Sequence, residues 1–177
     1  MLIIITGPRG VGKTTALTSY IQKLRIENRI PKGILTPPRL DGKGVKIGFD
    51  AMSAETGESW ELARMDKNLK GPSFGPFSFS DEGFKRALKL LESNLKEGLT
   101  SPFFLDEIGP LELHREAGFI PVLPKIVEAV EKKDVYLVIR PELIEEFISR
   151  FGSNEPCKII TVTSENRNYP ALFDTRE

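Results

Sequence analysis

Residues 7–14 read Gly-Pro-Arg-Gly-Val-Gly-Lys-Thr and directly follow an apolar run at residues 2–5. The spacing is G-x-x-x-x-G-K-[ST], and it stands in the setting that a phosphate-binding loop requires: a buried strand, a glycine-rich turn and then a helix. Glycines let backbone N–H groups turn inward around a phosphate chain, and the helix adds its positive N-terminal end. The alternative is a glycine-rich structural turn without a ligand. The strand–turn–helix setting favours phosphate binding over that alternative.

The segment assigns roles to particular residues. Lys13 is placed to reach the β- and γ-phosphates, and the Thr14 hydroxyl to hold Mg²⁺. Arg9 lies inside the loop and has three open roles: contact with phosphate, contact with a neighbouring subunit, or exposure to solvent. The residues predicted to contact a nucleotide here are Gly7, Pro8, Arg9, Gly10, Val11, Gly12, Lys13, Thr14 and Thr15.

Length, charge and cysteine content limit the class of protein. The chain has 177 residues, which suits one domain over residues 1–177. Its 25 basic and 25 acidic residues balance, which argues against a nucleic-acid or anionic-membrane partner. A single cysteine excludes an internal disulfide framework and suits a reducing cytoplasm. The apolar run at residues 2–5 is too short for a signal peptide or a membrane span. A cytoplasmic monomer is therefore expected.

Strand and helix patterns alternate along the chain, which predicts an α/β fold with a mostly parallel central sheet covered on both faces. Strands are predicted at 2–6, 33–36, 103–105, 135–139 and 158–162, and helices at 13–28, 81–97, 119–133 and after Pro141. Ser80 is the expected N-cap of the second helix, and Gly98 is placed to end it.

Residues 37–76 depart from this alternation. They are rich in Gly and Pro, and the runs 45–54 and 59–65 predict two strands joined at Thr56-Gly57-Glu58, hence an inserted β-hairpin. Connections of this length are often functional lids. A hairpin that only extends the sheet is the alternative.

Acidic residues follow the buried strand at 103–105. Asp106 stands at the carboxyl end of that strand, where parallel sheets bind ligands, so it can hold Mg²⁺ together with Thr14. Glu107 comes next and can orient or deprotonate a water that attacks the γ-phosphate. A strand that ends in two solvated acids is the alternative. An acid beside the magnesium ligand favours hydrolysis without excluding kinase chemistry.

Two further positions are predicted at the same edge of the sheet. Arg140 follows the strand at 135–139 and is a candidate cation for stabilising charge in phosphoryl transfer, with a surface arginine as the alternative. Asn166 and Arg167 follow the last strand, where Asn166 could hydrogen-bond the edge of a nucleotide base and Arg167 could stack on it. An ordinary turn would explain the same residues.

Four segments together resemble the small nucleoside-triphosphatases of the THEP type. They are residues 6–15; Ile47-Gly48-Phe49-Asp50; Leu105-Asp106-Glu107-Ile108-Gly109-Pro110-Leu111-Glu112; and Thr163-Ser164-Glu165-Asn166-Arg167. The resemblance implies a RecA-like P-loop NTPase fold, a three-layer sandwich. It also implies Mg²⁺-dependent hydrolysis of ATP, GTP and other triphosphates to diphosphate and phosphate, with Glu107 preparing the water. Arg9 stands where that family usually has a small residue or proline. Lys46 stands where the family frequently has an arginine.

Two other functions fit the same residues. The first is a kinase for a nucleotide, nucleoside or RNA end, in which Arg39, Lys43 and Lys46 of the insertion would hold the acceptor. The second is a nucleotide-dependent binding module whose hairpin meets a protein or nucleic-acid partner and whose slow hydrolysis acts as a timer. Transfer of phosphate to an added acceptor would indicate the kinase, and partner-stimulated turnover the module.

Overall fold

One mixed β-sheet organises the chain. The computed structural model describes residues 1–97, 101–152 and 157–174. Within these residues the strands are β1 Leu2–Thr6, β2 Lys32–Leu35, β3 Pro38–Leu40, β4 Lys46–Ser53, β5 Ser59–Arg64, β6 Ser73–Phe74, β7 Phe77–Phe79, β8 Phe103–Ile108, β9 Val135–Ile139 and β10 Cys157–Thr161. The α-helices are α1 Lys13–Ile26, α2 Asp81–Lys96, α3 Pro110–Arg115, α4 Leu123–Glu128 and α5 Ile144–Phe151. Short 3₁₀ turns occupy Ile120–Val122, Ala129–Glu131, Pro141–Leu143 and Pro170–Phe173.

The strand order is β10-β1-β9-β8-β2-β4-β5-β7-β6, with β3 paired to β4. The pairs from β10 to β2 are parallel, and those from β2 outward through the insertion are antiparallel. The strand that precedes the glycine-rich loop therefore lies inside the sheet, between β9 and the edge strand β10. This order confirms the predicted α/β P-loop fold, and it brings the carboxyl ends of β1, β8 and β9 to one edge.

Both faces of the sheet are buried under helices. Leu2 and Ile4 of β1 pack into a core with α2, α3, α4 and α5, whereas Ile3 and Ile5 pack into a second core with α1 and Phe173. Successive strand residues point to opposite faces, so a continuous apolar strand needs cover on both sides. The result is the three-layer arrangement that the sequence predicts.

The insertion is larger than the predicted hairpin. Strands β4 and β5 pair as expected, but β4 also pairs with β2, so the hairpin continues the main sheet. The prediction missed β3 and the small β6–β7 hairpin, and the insertion runs to Phe79 rather than to residue 76. Strands of two or three residues are too short to give a readable alternation pattern.

The segment predicted as one helix at 119–133 is helical from Ile120 to Glu131, but it is not a single α-helix. The structure has a 3₁₀ turn at Ile120–Val122, then α4, then a second 3₁₀ turn at Ala129–Glu131. Pro121 and Pro124 lack a backbone N–H and are accommodated only in first turns, which divides the segment. Helix α3 was missed, although Pro110 at its first position and Glu112 in its first turn are typical start signals.

The N-cap prediction for α2 is confirmed. Ser80 has an extended backbone, and its hydroxyl oxygen accepts a hydrogen bond from the Gly83 N–H at 2.9 Å. Asp81 and Glu82 stand in the first turn, where acidic residues favour the helix dipole. Gly98, the expected terminator of this helix, lies outside the described residues.

We expect Ser80→Ala to lower the free energy of unfolding by about 1 kcal/mol, because the Gly83 N–H loses its acceptor. Ser80→Asp restores an acceptor oxygen at the same position and serves as the matched control. Urea denaturation of the three proteins measures the difference. Equal destabilisation by alanine and aspartate would contradict a capping role for the Ser80 side chain.

Candidate active site

Glycines shape the loop between β1 and α1. Gly7, Gly10 and Gly12 have φ values of 142°, 77° and 100°, a region that side-chain-bearing residues rarely adopt. A Cβ atom at Gly7 would lie 2.4 Å from the Val162 carbonyl oxygen, so the loop also packs against the end of β10. The left-handed Gly12 turns the chain into α1, whose first N–H groups have no partner within the helix. The loop is thus built to bind an anion at a helix N-terminus.

Lys13 supplies the positive charge of this loop. Its Nζ donates hydrogen bonds to the carbonyl oxygens of Gly7 and Pro8, at 2.9 and 3.1 Å. The residue is only 8% exposed. The loop therefore holds the ammonium group against its own backbone, where a phosphate chain enclosed by the loop would meet it.

A buried carboxylate links the loop to two neighbouring strands. Thr14 Oγ1 donates to Asp106 Oδ2 at 2.7 Å, and the Thr36 N–H donates to the same oxygen at 3.3 Å. Asp106 is 1% exposed. Burial, and next the charge of Glu107, raise the pKa of Asp106 to about 7, against the opposing hydrogen bonds of Thr14 and Thr36. A hydroxyl and a carboxylate at this distance suit a hard divalent cation.

Glu107 and Arg140 form an ion pair beside this carboxylate. Arg140 Nε donates to Glu107 Oε1 at 2.6 Å, and the two side chains are 37% and 31% exposed. Parallel pairing of β8 with β9 brings the two residues together. Glu107 is accordingly accessible to a water molecule, whereas Asp106 is not.

Glu112 ends one of the family-like segments of the sequence, but the sequence does not predict its structural role. Its two carboxylate oxygens accept hydrogen bonds from the Gly109 and Phe119 N–H groups, at 2.9 and 3.3 Å, and the residue is buried. Burial raises the pKa of Glu112 to about 7 despite those hydrogen bonds. Glu112 thus connects the backbone at Gly109, directly after β8, to the backbone at Phe119. These hydrogen bonds fix the backbone that follows Glu107.

The segment after β10 lies against the outside of the loop. Arg167 Nη1 donates to the Val11 carbonyl oxygen at 3.4 Å, and its Cδ would lie 3.2 Å from a Cβ atom at Gly12. The Asn166 side chain accepts from the Thr163 N–H at 2.8 Å and donates to the Thr161 carbonyl at 2.9 Å. Asn166 thus orders its own loop, while Arg167 lies beside the glycine-rich loop.

The loop opens into a cleft of about 790 Å³. Arg9, Lys46, Glu107 and Arg140 line its polar part, and phenylalanine side chains from β4, β6, β7 and α2 line the rest. The sequence reading did not place these rings at the site, although the density of phenylalanine between residues 74 and 84 was an available signal.

The basic residues of the insertion have different surroundings. Arg39 Nη1 donates to both carboxylate oxygens of Asp50, at 3.0 and 2.9 Å, and Lys43 is exposed in a turn. Of these three residues, Lys46 alone lines the cleft. The structure therefore does not bring together the three cations that the kinase hypothesis used.

Over residues 1–97, 101–152 and 157–174, no group of three or more His, Cys, Asp or Glu side chains could hold a metal ion. Thr14 and Asp106 carry two oxygen atoms that could bind Mg²⁺, an ion that commonly takes its remaining ligands from phosphate and water. The residues present fit that ion. In the same part of the chain, no helix is long and apolar enough to span a membrane.

Comparisons with known proteins agree with this geometry. The model of a family described as NTPase matches residues 2–173. A nucleoside-triphosphatase THEP1 from Hyperthermus butylicus is 31% identical over 168 residues, covering 94% of this chain and 84% of the relative. One from Saccharolobus solfataricus is 33% identical over 167 residues, covering 94% and 86%. The crystal structure of THEP1 from Aquifex aeolicus aligns with a TM-score of 0.73 at 24% identity, covering 97% and 95%. The solution structure of a human cancer-related nucleoside triphosphatase aligns with a TM-score of 0.69 at 23% identity, covering 99% of each chain.

The raised pKa of Asp106 predicts a pH-dependent cost to stability when a chelator removes divalent cations. The ordinary pKa of aspartate is 3.8, and the pKa of Asp106 in the folded chain is about 7. At pH values between these two, the folded chain therefore binds more protons than the unfolded chain. Stability from this group therefore falls as pH rises through that window. Asparagine at this position has no charge to bury.

We compare the free energy of unfolding of Asp106→Asn with that of the unsubstituted chain. As pH rises from about 5 to about 8, we expect the difference to shift in favour of Asp106→Asn by about 1 kcal/mol or more. Urea denaturation in EDTA at several pH values measures this difference. A difference that does not change with pH would contradict the assignment of a buried, destabilising carboxylate.

Proposed function

The chain belongs to the NTPase family, whose model matches residues 2–173, and on that premise we propose that it hydrolyses nucleoside triphosphates to diphosphate and phosphate with Mg²⁺. The observation that carries the proposal is the 2.7 Å hydrogen bond between Thr14 and Asp106. It joins the phosphate-binding loop to β8 and leaves Glu107, the next residue, at the same edge of the sheet. Phosphate binding, metal binding and water activation are thereby within one site.

Each part of the loop has a task in this reaction. Backbone N–H groups of residues 10–13 bind the phosphates, and Lys13 neutralises their β- and γ-oxygens. Thr14 and Asp106 would hold Mg²⁺, which when bound would neutralise charge on the phosphate oxygens. Glu107 accepts a hydrogen bond from the attacking water and takes its proton as the water oxygen bonds to the γ-phosphorus. The bond between the γ-phosphorus and the oxygen that bridges it to the β-phosphate then breaks, and the diphosphate leaves.

Arg140 has two roles to choose between, and its ion pair favours one. An arginine that stabilises transition-state charge must reach the γ-phosphate oxygens. Arg140 instead donates to Glu107 at 2.6 Å, which supports a role in orienting that carboxylate. We propose that Arg140 acts first as the positioning partner of Glu107.

The nucleotide base belongs on the side of Arg167. That side chain packs on Val11 and Gly12, next to the start of α1. We propose that Arg167 offers a flat surface to the base and that Asn166 shapes the loop carrying it. A contact that reads no particular base edge fits ATP, GTP and other triphosphates as substrates.

Assembly and location are part of the same proposal. We propose a cytoplasmic monomer formed from a single domain that handles small triphosphates rather than nucleic acid. Balanced charge and a single cysteine support this reading. No protein partner is assigned.

The experiment that tests the function is phosphate release from ATP, GTP, CTP and UTP with Mg²⁺. We expect Glu107→Gln to reduce turnover by about 10²- to 10⁴-fold, because the water loses its general base, while nucleotide affinity is kept. Lys13→Ala is expected to lose nucleotide binding, and EDTA to abolish turnover. Glu145→Gln, at an exposed position on α5, is the control and should match the unsubstituted chain. Loss of nucleotide binding in Glu107→Gln would contradict its assigned role.

A second prediction separates the two roles of Arg140. If Arg140 orients Glu107, Arg140→Ala should lower kcat by about 10- to 100-fold and have little further effect when Glu107 is already glutamine. Steady-state kinetics of both single variants and the double variant give the coupling. An undiminished effect of Arg140→Ala in the Glu107→Gln background would instead assign Arg140 to the phosphate itself.

A further inference from the structure

The part of the cleft farther from the phosphate-binding loop has an aromatic wall. The rings of Phe49 and Phe77 lie with centroids 5.2 Å apart, and Phe79 lies 5.8 Å from Phe49. Phe84 and Phe119 continue the wall, with centroids 5.3 Å apart. Phe49 and Phe77 are only partly buried, so ring surface remains open to the cleft.

The wall lies beyond the γ-phosphate end of the proposed triphosphate site. Loops of this type bind the α- and β-phosphates with backbone N–H groups, while the lysine reaches the β- and γ-phosphates. Glu107, the proposed water-activating residue, therefore marks the γ end, and it lines the same cleft as Phe49 and Phe77. Arg167, the proposed neighbour of the base, lies against Val11 and Gly12 and is not among the residues lining this cleft. A triphosphate bound in that direction cannot place its own base on the wall.

A cation stands over the same rings. Lys46 Nζ lies 5.2 Å from the Phe49 centroid and 5.7 Å from the Phe77 centroid. Desolvation, and then the positive charge of Arg9, lower the pKa of Lys46. Glu107 is already paired with Arg140, and Glu112 is paired with backbone N–H groups. Glu142 also lines the cleft and offsets part of the positive charge of Arg9 and Lys46, and an anion would balance the remainder.

We propose that this cleft is a second ligand site that binds a nucleoside monophosphate while a triphosphate occupies the loop. The base lies against Phe49 and Phe77, and the phosphate contacts Lys46 and Arg9. Nucleotide bases stack on exposed phenylalanine rings with little dependence on which base is present. Phosphate groups form charge-assisted hydrogen bonds with lysine and arginine. A nucleoside monophosphate combines both groups in one small molecule. The inference rests on the proposed function, since it takes the direction of the bound triphosphate from it.

The test is a calorimetric titration of AMP into the protein saturated with Mg²⁺ and a non-hydrolysable ATP analogue. Adenosine supplies the ring without phosphate, and ribose 5-phosphate supplies phosphate without the ring. We expect one AMP to bind per chain without displacing the analogue, about tenfold or more tightly than either fragment. Absence of AMP binding, displacement of the analogue, or AMP binding no tighter than ribose 5-phosphate would overturn the proposal.

Matched variants assign the contacts. Lys46→Met keeps a long side chain over the rings and removes the charge, so AMP affinity should fall about tenfold, toward that of adenosine. Phe77→Leu keeps an apolar side chain and removes the ring, so AMP and adenosine should weaken together, by about fivefold or more. Lys43→Met, on the exposed turn of the same insertion, is the control and should bind AMP normally. Unchanged AMP affinity in both Lys46→Met and Phe77→Leu would overturn the proposal.

The same titrations separate this inference from the proposed function. If AMP fails to bind while the analogue binds and phosphate is released from triphosphates, the second site is wrong and the hydrolase stands. If the unsubstituted chain binds no analogue and releases no phosphate, the proposed function itself is wrong.

Discussion

The hydrogen bond from Thr14 to the buried Asp106 carboxylate is the contact on which the site depends. It joins the first turn of α1 to β8, and the Thr36 N–H adds the end of β2 to the same oxygen. Three segments far apart in sequence are therefore held at one point on the sheet edge. Glu107 is the next residue of β8, and Arg140, which follows the neighbouring strand β9, donates to it.

Burial of the Asp106 carboxylate in this junction disfavours its charged form. A carboxylate that is 1% exposed, with its pKa raised to about 7, is held where burial disfavours its charge. Hydrogen bonds from a hydroxyl and one N–H offset that penalty only in part, since the pKa remains raised. A divalent cation bound as proposed above would oppose the same penalty, because its charge favours the ionised carboxylate.

The sequence predicts the parts of the molecule whose geometry is local. The glycine-rich loop, β1, the Ser80 cap and the Asp106–Glu107 pair each follow from neighbouring residues and from the rule that parallel strands bind ligands at their carboxyl ends. What it could not predict depends on distant pairing. The ion pair of Glu107 with Arg140, the Asn166 contacts within its loop and the split of the 119–133 segment by Pro121 and Pro124 needed three-dimensional neighbours or finer start signals.

The insertion shows most clearly why the remaining features of the fold and the site could not be predicted from the sequence. Its pattern predicts a hairpin, but β4 pairs with β2, so the hairpin becomes a continuation of the main sheet and its rings turn toward the cleft. Phe49 and Phe77 meet only because β4, β5 and β7 pair in that order. The insertion therefore does both things that the sequence offers as alternatives. It extends the sheet, and it also lines the cleft. By extending the sheet, the insertion places Lys46, Phe49 and Phe77 in the lining of the same cleft as Glu107.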